Sequence, residues 1–206
     1  MLSNANSLVI LDFETTGLSP TQGDRTIEIG AVRLVNGEVT EQFQQLMNPG
    51  RIISPFIEDY TGITNHMLKS ASPCSKVMVN FVKFIGDDNL IAHNAAFDKR
   101  FLDAELSQID REYPGHFSCS LLLARRVFQG APSYNLGNLI SYLGIKSSAG
   151  YHRALFDAEM TAKLWSALIE EIQQQTQLNI VPFTLIEKIV KTPKKSVANL
   201  LASFKD

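Results

Sequence analysis

The spacing of apolar residues changes along the chain. Ser7–Phe13 is a continuous apolar run that ends at the turn signal Thr15-Thr16-Gly17, and it predicts a buried strand. Ile27–Val35 and Val39–Met47 read as two further strands around Asn36-Gly37, a dipeptide that favours a tight hairpin. From Lys76 onward the spacing becomes helical. Lys76–Ile85, Ala95–Gln108, Leu121–Phe128, Leu136–Leu143 and the long Arg153–Gln174 are the predicted helices. Short strands, Asn89–Ala92 and Phe117–Ser120, alternate with them. Asn94 is placed to cap the second helix, while Gly130 and Gly144 are placed to close the two short ones. A meander followed by strands alternating with helices predicts an α/β fold, a mixed sheet with helices packed on it.

Beyond Gln175 the character shifts. Pro182 and Pro193 interrupt the chain and lysine becomes frequent, which predicts a domain over 1–176 and an extension over 177–206. Within the extension Val197, Leu200, Leu201 and Phe204 recur at helical spacing, a form common in partner-binding helices. The alternative is that this face packs back onto the domain.

The composition narrows the class. The chain has 206 residues, 45% of them hydrophobic, which fits one ordinary globular domain and excludes collagen, disorder and coiled coil. No run approaches the ~18 apolar residues of a membrane span. The start, MLSNANSLVILDF, lacks the basic residues and cleavage site of a signal peptide. Cys74 and Cys119 show no metal spacing and are too few for a disulfide framework, so the expected location is the cytoplasm. The net charge of −2 argues against a broad nucleic-acid-coating surface. It is unevenly spread: five lysines against Glu187 and Asp206 make residues 183–206 net +3, leaving −5 on the rest.

Several of the body's acids fall at unexpected places. Asp12 and Glu14, two apart on a strand, point to the same side at the end of an apolar run. Such acids need neutralising, and a hard divalent cation does so; an ordinary strand end with Asp in the turn gives the same spacing. On a helical wheel at about 100° per residue, Asp98 falls between Phe101 and Leu102 on the apolar arc, away from Lys99, Arg100 and Asp103. On the last long helix, Asp157 heads a stripe with Thr161, Leu164 and Leu168. His152 lies on the approach to that helix, beside Asp157. His66, His93 and His116 carry no such context and read as structural.

Three segments carry a resemblance. DFETTGL at 12–18, HNAAFD at 93–98 and HRALFDA at 152–158 resemble, in order and spacing, the three motifs of the DEDDh family of 3′–5′ exonucleases (DnaQ-like). The match is nearest to the epsilon proofreading subunits of bacterial DNA polymerase III and their relatives, and it covers roughly residues 7–175. The resemblance implies an RNase H-like fold with a central five-stranded mixed sheet flanked by helices. It also implies hydrolysis with two divalent ions, Mg²⁺ with Mn²⁺ able to substitute. Asp12, Glu14 and Asp157 would hold the metals, Asp12 bridging, with Asp98 completing the cluster partly through water. His152 would be the general base, a role suited to a group that titrates near neutrality. Two ions ~4 Å apart stabilise both the attacking and the leaving oxygen at phosphorus, releasing a nucleoside 5′-monophosphate. Thr15, Thr16, Gly17 and Leu18 would contact the terminal nucleotide, and Asn94 and Phe97 would flank the strand's path. For Phe97, core packing is the competing role. Relatives often carry His-Gly-Ile where this chain has Thr61-Gly62-Ile63, which leaves a histidine contact without its residue.

The function so implied is trimming of DNA 3′ ends in proofreading or repair. Trimming of RNA 3′ ends, as by ribonuclease T or oligoribonuclease, is the alternative, because the discriminating feature is accommodation of a 2′-OH. A third reading makes residues 177–206 a docking tail for a DNA polymerase or sliding clamp, since Gln177-Leu178-Asn179-Ile180 resembles the start of clamp-binding peptides. A zinc hydrolase is a poor fit, because the chain has no His/Cys ligand spacing.

Overall fold

The computed structural model describes residues 4–146 and 153–204. Six strands form one sheet: β1 (Leu8–Thr15), β2 (Thr26–Val35), β3 (Glu38–Asn48), β4 (Ser72–Pro73), β5 (Leu90–Ala92) and β6 (Phe117–Cys119), in the spatial order β4-β3-β2-β1-β5-β6. β1, β2 and β3 form the antiparallel meander, and β4, β5 and β6 each join in parallel. The expected five strands are therefore joined by a sixth, the two-residue β4 at the edge. The β2–β3 turn places Asn36 and Gly37 at φ 53° and 88°, the double positive φ of a type I′ hairpin.

Helices cover both faces: α1 (Pro55–Thr61), α2 (Asn65–Ser70), α3 (Cys74–Ile85), α4 (Ala96–Ser107), α5 (Ser120–Val127), α6 (Leu136–Tyr142), α7 (Ala154–Thr176), α8 (Phe183–Lys191) and α9 (Val197–Ala202). Alternation along β1 splits the core in two. Leu8 and Ile10 face α5, α6 and α7, while Val9, Leu11 and Phe13 face α3 and α4. Asn94 does not cap α4 with its side chain. It takes a left-handed φ of 66° and turns the chain from β5 into the helix, with its carbonyl accepting the Phe97 N–H at 3.0 Å.

The extension beyond 177 packs onto the body. Val181, Phe183, Ile186, Ile189, Val197 and Leu201 are buried in the same cluster as Leu164, Trp165, Leu168 and Ile172 of α7. The Ala5 N–H also donates to the Val181 carbonyl at 2.9 Å. The apolar stripe of the extension is thus covered by the body. Of the four clamp-like residues, Gln177 closes α7 with φ 61°, Leu178 turns toward the core, and Asn179 and Ile180 stay exposed. Both cysteines are free and buried, and no helix among the described residues is long and apolar enough to cross a membrane.

Candidate active site

The pleat of β1 puts Asp12 and Glu14 on one face of the sheet. Across the ladder on β2 their partners are Gly30 and Glu28. Gly30 has a steric reason to be there. A Cβ on it would lie 2.0 Å from the Leu155 nitrogen and 2.2 Å from the Ala154 carbonyl carbon, so only glycine lets α7 lie this close to the sheet. That approach delivers Asp157 from the first turn of α7. One carboxylate oxygen from each of Asp12, Glu14 and Asp157 lies within 4.8 Å of the other two.

Asp98 comes from the opposite side. β5 pairs with β1 only at Val9 and Ile10, and past that point the Asp98 Oδ1 accepts the Phe13 N–H at 3.1 Å. Asp98 is 2% exposed, so the inward orientation expected from the wheel is observed. It braces the β1 backbone between Asp12 and Glu14, and it lies outside the tight group of three. His152 falls outside the described residues.

The entry of α7 is fixed by a buried acid. The Glu28 side chain, fully enclosed, receives Arg153 Nε at 3.1 Å and Nη2 at 2.7 Å, the Ala154 N–H at 3.1 Å and Gln44 Nε2 at 3.0 Å. On the other flank Glu105 of α4 takes both Nε and Nη2 of Arg25 at 2.8 Å, plus the Thr26 hydroxyl at 3.1 Å. These two forks tie α7 and α4, the helices that carry Asp157 and Asp98, to β2 and its entry.

Charge accumulates in the site. Burial above all, then repulsion from Asp98, Glu14, Asp157 and Glu28, holds the Asp12 carboxyl well above the usual carboxylate range. Burial, then Asp157, Glu28 and Asp98, pushes Glu14 up to about 8. Burial raises Asp98 to about 7, against the pull of the Phe13 N–H. A cluster of hard oxygen donors that repel one another fits a divalent cation.

A cleft of about 470 Å³ opens over these acids. Thr15, Gly17, Leu18, Asn94 and Phe97 line it. Leu18 stands at its rim, 77% exposed. The two threonines use their hydroxyls locally. Thr15 Oγ1 donates to the Gly17 carbonyl at 2.6 Å, and Thr16 Oγ1 donates to Asp24 at 3.1 Å. Gly17 is crowded by that same Asp24 carboxylate, which a Cβ would meet at 2.5 Å. Phe97 is half-buried, its ring 5.0 Å from Phe101, so core packing accounts for most of its surface.

A further wall of the cleft is α1: Thr61, already noted in the sequence, and Phe56, Ile57 and Tyr60, which the sequence pattern did not single out. Thr61 is buried and its hydroxyl donates back to the Ile57 carbonyl at 2.8 Å. The signal for α1 was Ser54-Pro55, a capping serine before proline at the first helical position. His93 also lines the cleft, but its Nδ1 lies 2.8 Å from Ser120 Oγ and its Nε2 lies 3.0 Å from the Tyr134 carbonyl. Burial lowers it to about 4, so it is a neutral structural ring.

The family model described as Exonuclease (RNase_T) matches residues 9–165. DNA polymerase III subunit epsilon of Aquifex aeolicus is 34% identical over 167 residues, 81% of this chain and 82% of that protein. The 3′-5′ exonuclease DinG of Bacillus subtilis is 32% identical over 201 residues, 96% of this chain; the chain spans 20% of DinG's length. Among solved structures, exonuclease X in complex with 5′ overhanging duplex DNA superposes with a TM-score of 0.69 at 27% identity, covering 89% of this chain and 99% of that one.

Proposed function

The chain belongs to the exonuclease family, and from that premise we propose that it removes nucleoside 5′-monophosphates from single-stranded DNA 3′ ends with two divalent metal ions, Mg²⁺ or Mn²⁺. The observation that carries this reading is the convergence of Asp12, Glu14 and Asp157 within 4.8 Å of one another, at the floor of an open cleft. In this proposal Asp12, Glu14 and Asp157 would hold the ions, and Asp98 steadies the strand that carries two of these acids. Bound there, the ions would supply Lewis acidity to the phosphate and to the attacking water. His152 takes the water's proton. Arg153, the next residue in sequence, is anchored on Glu28. Leu18 at the rim meets the terminal base.

DNA is the favoured polymer because the relative covered over most of its length is named as a DNA polymerase subunit and the superposed exonuclease holds duplex DNA. Association with a polymerase or sliding clamp remains part of the proposal. It would use the exposed side of residues 177–206, namely Ile180 and the lysines at 188, 191, 194 and 195, since the apolar side is covered.

The test is a digest of matched single-stranded DNA and RNA, labelled at either end, with Mg²⁺, Mn²⁺ or EDTA. A 5′ label should yield a ladder shortening from the 3′ end, a 3′ label should be released at once as a mononucleotide, and EDTA should stop both. Internal cuts, 5′ release or faster RNA cleavage would each overturn a named part of the proposal.

A further inference from the structure

The geometry points to Asp24 as a positioning residue: its carboxylate clamps the loop that presents Leu18 at the rim of the cleft, and Arg51 ties that loop to the segment entering α1. The inference rests on the exonuclease reading, which supplies the terminal nucleotide that Leu18 meets.

The loop from Thr16 to Asp24 closes on itself. The Thr16 N–H donates to the Arg25 carbonyl at 2.9 Å, and the Arg25 N–H donates back to Thr16 Oγ1 at 3.1 Å. The Asp24 N–H donates to the Ser19 carbonyl at 3.2 Å. The Asp24 side chain then spans the loop. Its Oδ1 accepts the Thr16 hydroxyl at 3.1 Å and Arg51 Nη2 at 3.0 Å, while its Oδ2 accepts the Ser19 N–H at 3.0 Å. Thr16 and Ser19 flank Gly17 and Leu18, so one carboxylate fixes both ends of that two-residue segment. It can do so because residue 17 has no side chain: a Cβ there would meet both carboxylate oxygens at 2.5 Å. Arg51 Nη2 also donates to Thr16 Oγ1 at 3.0 Å. Arg51 lies in the connection from β3 to α1, three residues before Ser54, whose side chain caps α1. The clamp therefore joins the loop of Leu18 to the entry of the helix that forms another wall of the cleft.

What the clamp holds is an apolar side chain kept in water. Leu18 is 77% exposed, and turning it inward would gain burial. An exposed rim contact aligns a substrate only if its backbone is fixed, and the reaction rate depends steeply on how the reacting phosphate is placed. The Asp24–Arg51 pair is partly solvated, with side chains 20% and 45% exposed, so it adds little to stability. Its service is geometry. Arg51 also offsets the Asp24 charge, which would otherwise repel a polyanion at the rim.

The experiment measures cleavage of 5′-labelled single-stranded DNA in Mg²⁺ by Asp24→Ala, Asp24→Asn, Arg51→Met and Leu18→Ala proteins, and by Asp24→Ala and Arg51→Met in the Leu18→Ala background. Asp24→Ala should lower kcat/KM about ten-fold and Arg51→Met about three-fold, both inside the ~10²-fold that a small misplacement can cost. Asp24→Asn, which keeps an acceptor for the Ser19 N–H, should recover part of the loss. In the Leu18→Ala background neither change should lower kcat/KM further, because the clamp acts through Leu18. Mg²⁺ affinity, read by calorimetry, should match the native protein throughout. If Asp24→Ala fails to fold, as judged by circular dichroism, Arg51→Met carries the test, since it removes a largely solvated group. Losses that persist in the Leu18→Ala background, or native kcat/KM in the single variants, would overturn the clamp alone. No cleavage by the native protein would overturn the exonuclease reading and the clamp with it.

Discussion

Glu14 and Glu28 face one another across the β1–β2 ladder, yet they live under different conditions. Glu28 has a guanidinium fork, a backbone N–H and an amide around it, and Glu105 on the other flank is clamped in the same manner. Asp12 and Glu14 have one another, Asp157 and Asp98. Among the described residues neither Asp12, Glu14 nor Asp98 forms an ion pair with Arg or Lys. The difference separates two uses of a buried acid. A compensated carboxylate fixes elements in place, because removing either partner strands the other. A crowded one keeps its oxygens available at a standing cost, which a cation relieves.

The strongest way to break this contrast is Asp12→Ala. Nuclease activity should fall by about 10³-fold or more, the scale of losing charge stabilisation at the reacting phosphate. With repulsion relieved, the metal-free variant should melt about 2–4 °C higher than the native protein, worth ~1 kcal/mol at this chain length. End-labelled digests and thermal melts in EDTA read the two effects. Activity within ten-fold of native would remove Asp12 from the site.

Glu28→Ala should do the reverse in stability. It leaves Arg153 and the Ala154 N–H without their acceptor, and because Arg153 is partly solvated the loss should be about 2–3 kcal/mol. Denaturant unfolding measures it. Activity should fall as well, through looser placement of Asp157. A variant as stable as native would show that the fork is ornamental.

The pH dependence of the metal-free protein sharpens the comparison further. Glu14 is raised from 4.5 to about 8 and Asp98 from 3.8 to about 7, so between about pH 4 and 8 the folded state binds more protons than the unfolded one. Stability should therefore decline as pH rises through that window, and the raised Asp12 carboxyl adds to the decline in the same direction. Mg²⁺ should flatten the decline and, on binding near pH 7, release protons measurable by calorimetry in buffers of different ionisation enthalpy. A flat profile in EDTA would contradict the crowding.

The smallest effect concerns salt. With few cations near the cleft, log K for single-strand binding against log salt should have a slope equal to about two or three phosphates at ~0.7 each. A slope equivalent to six would reveal a basic path outside the cleft.

Much of the scaffold was legible because it depends on local pattern. The β1–β3 meander follows from alternation and from Asn36-Gly37, and the inward turn of Asp98 from its angle on the wheel. What was not legible depends on length or on distance. α1 and α2 are too short for a period to appear, although Ser54-Pro55 marked the start of the first. α8 shows a helical period in Phe183–Lys191, but its lysines and the flanking prolines drew attention to a tail rather than to core packing. Glu28 offered a signal that went unread, an acid within the strand segment Ile27-Glu28-Ile29, where burial on both faces requires a partner. Its partner Arg153 is far away in sequence, and only the assembled sheet brings the two together.

The order in which the chain can acquire its parts gives the acid cluster a kinetic meaning. The β1–β2–β3 meander is complete by Asn48 and closes through short hairpin connections, while α7 begins only at Ala154. Contacts over that span carry a larger loop-closure entropy than hairpin contacts do. If the local meander forms first, Asp12 and Glu14 are set in their strand before Asp157 arrives, and the part of the repulsion that Asp157 adds comes late. Interactions that form late act on the rate of escape from the native state rather than on the rate of reaching it. Occupancy of the cluster by a cation would accordingly lengthen the lifetime of the folded molecule while leaving its speed of folding almost untouched.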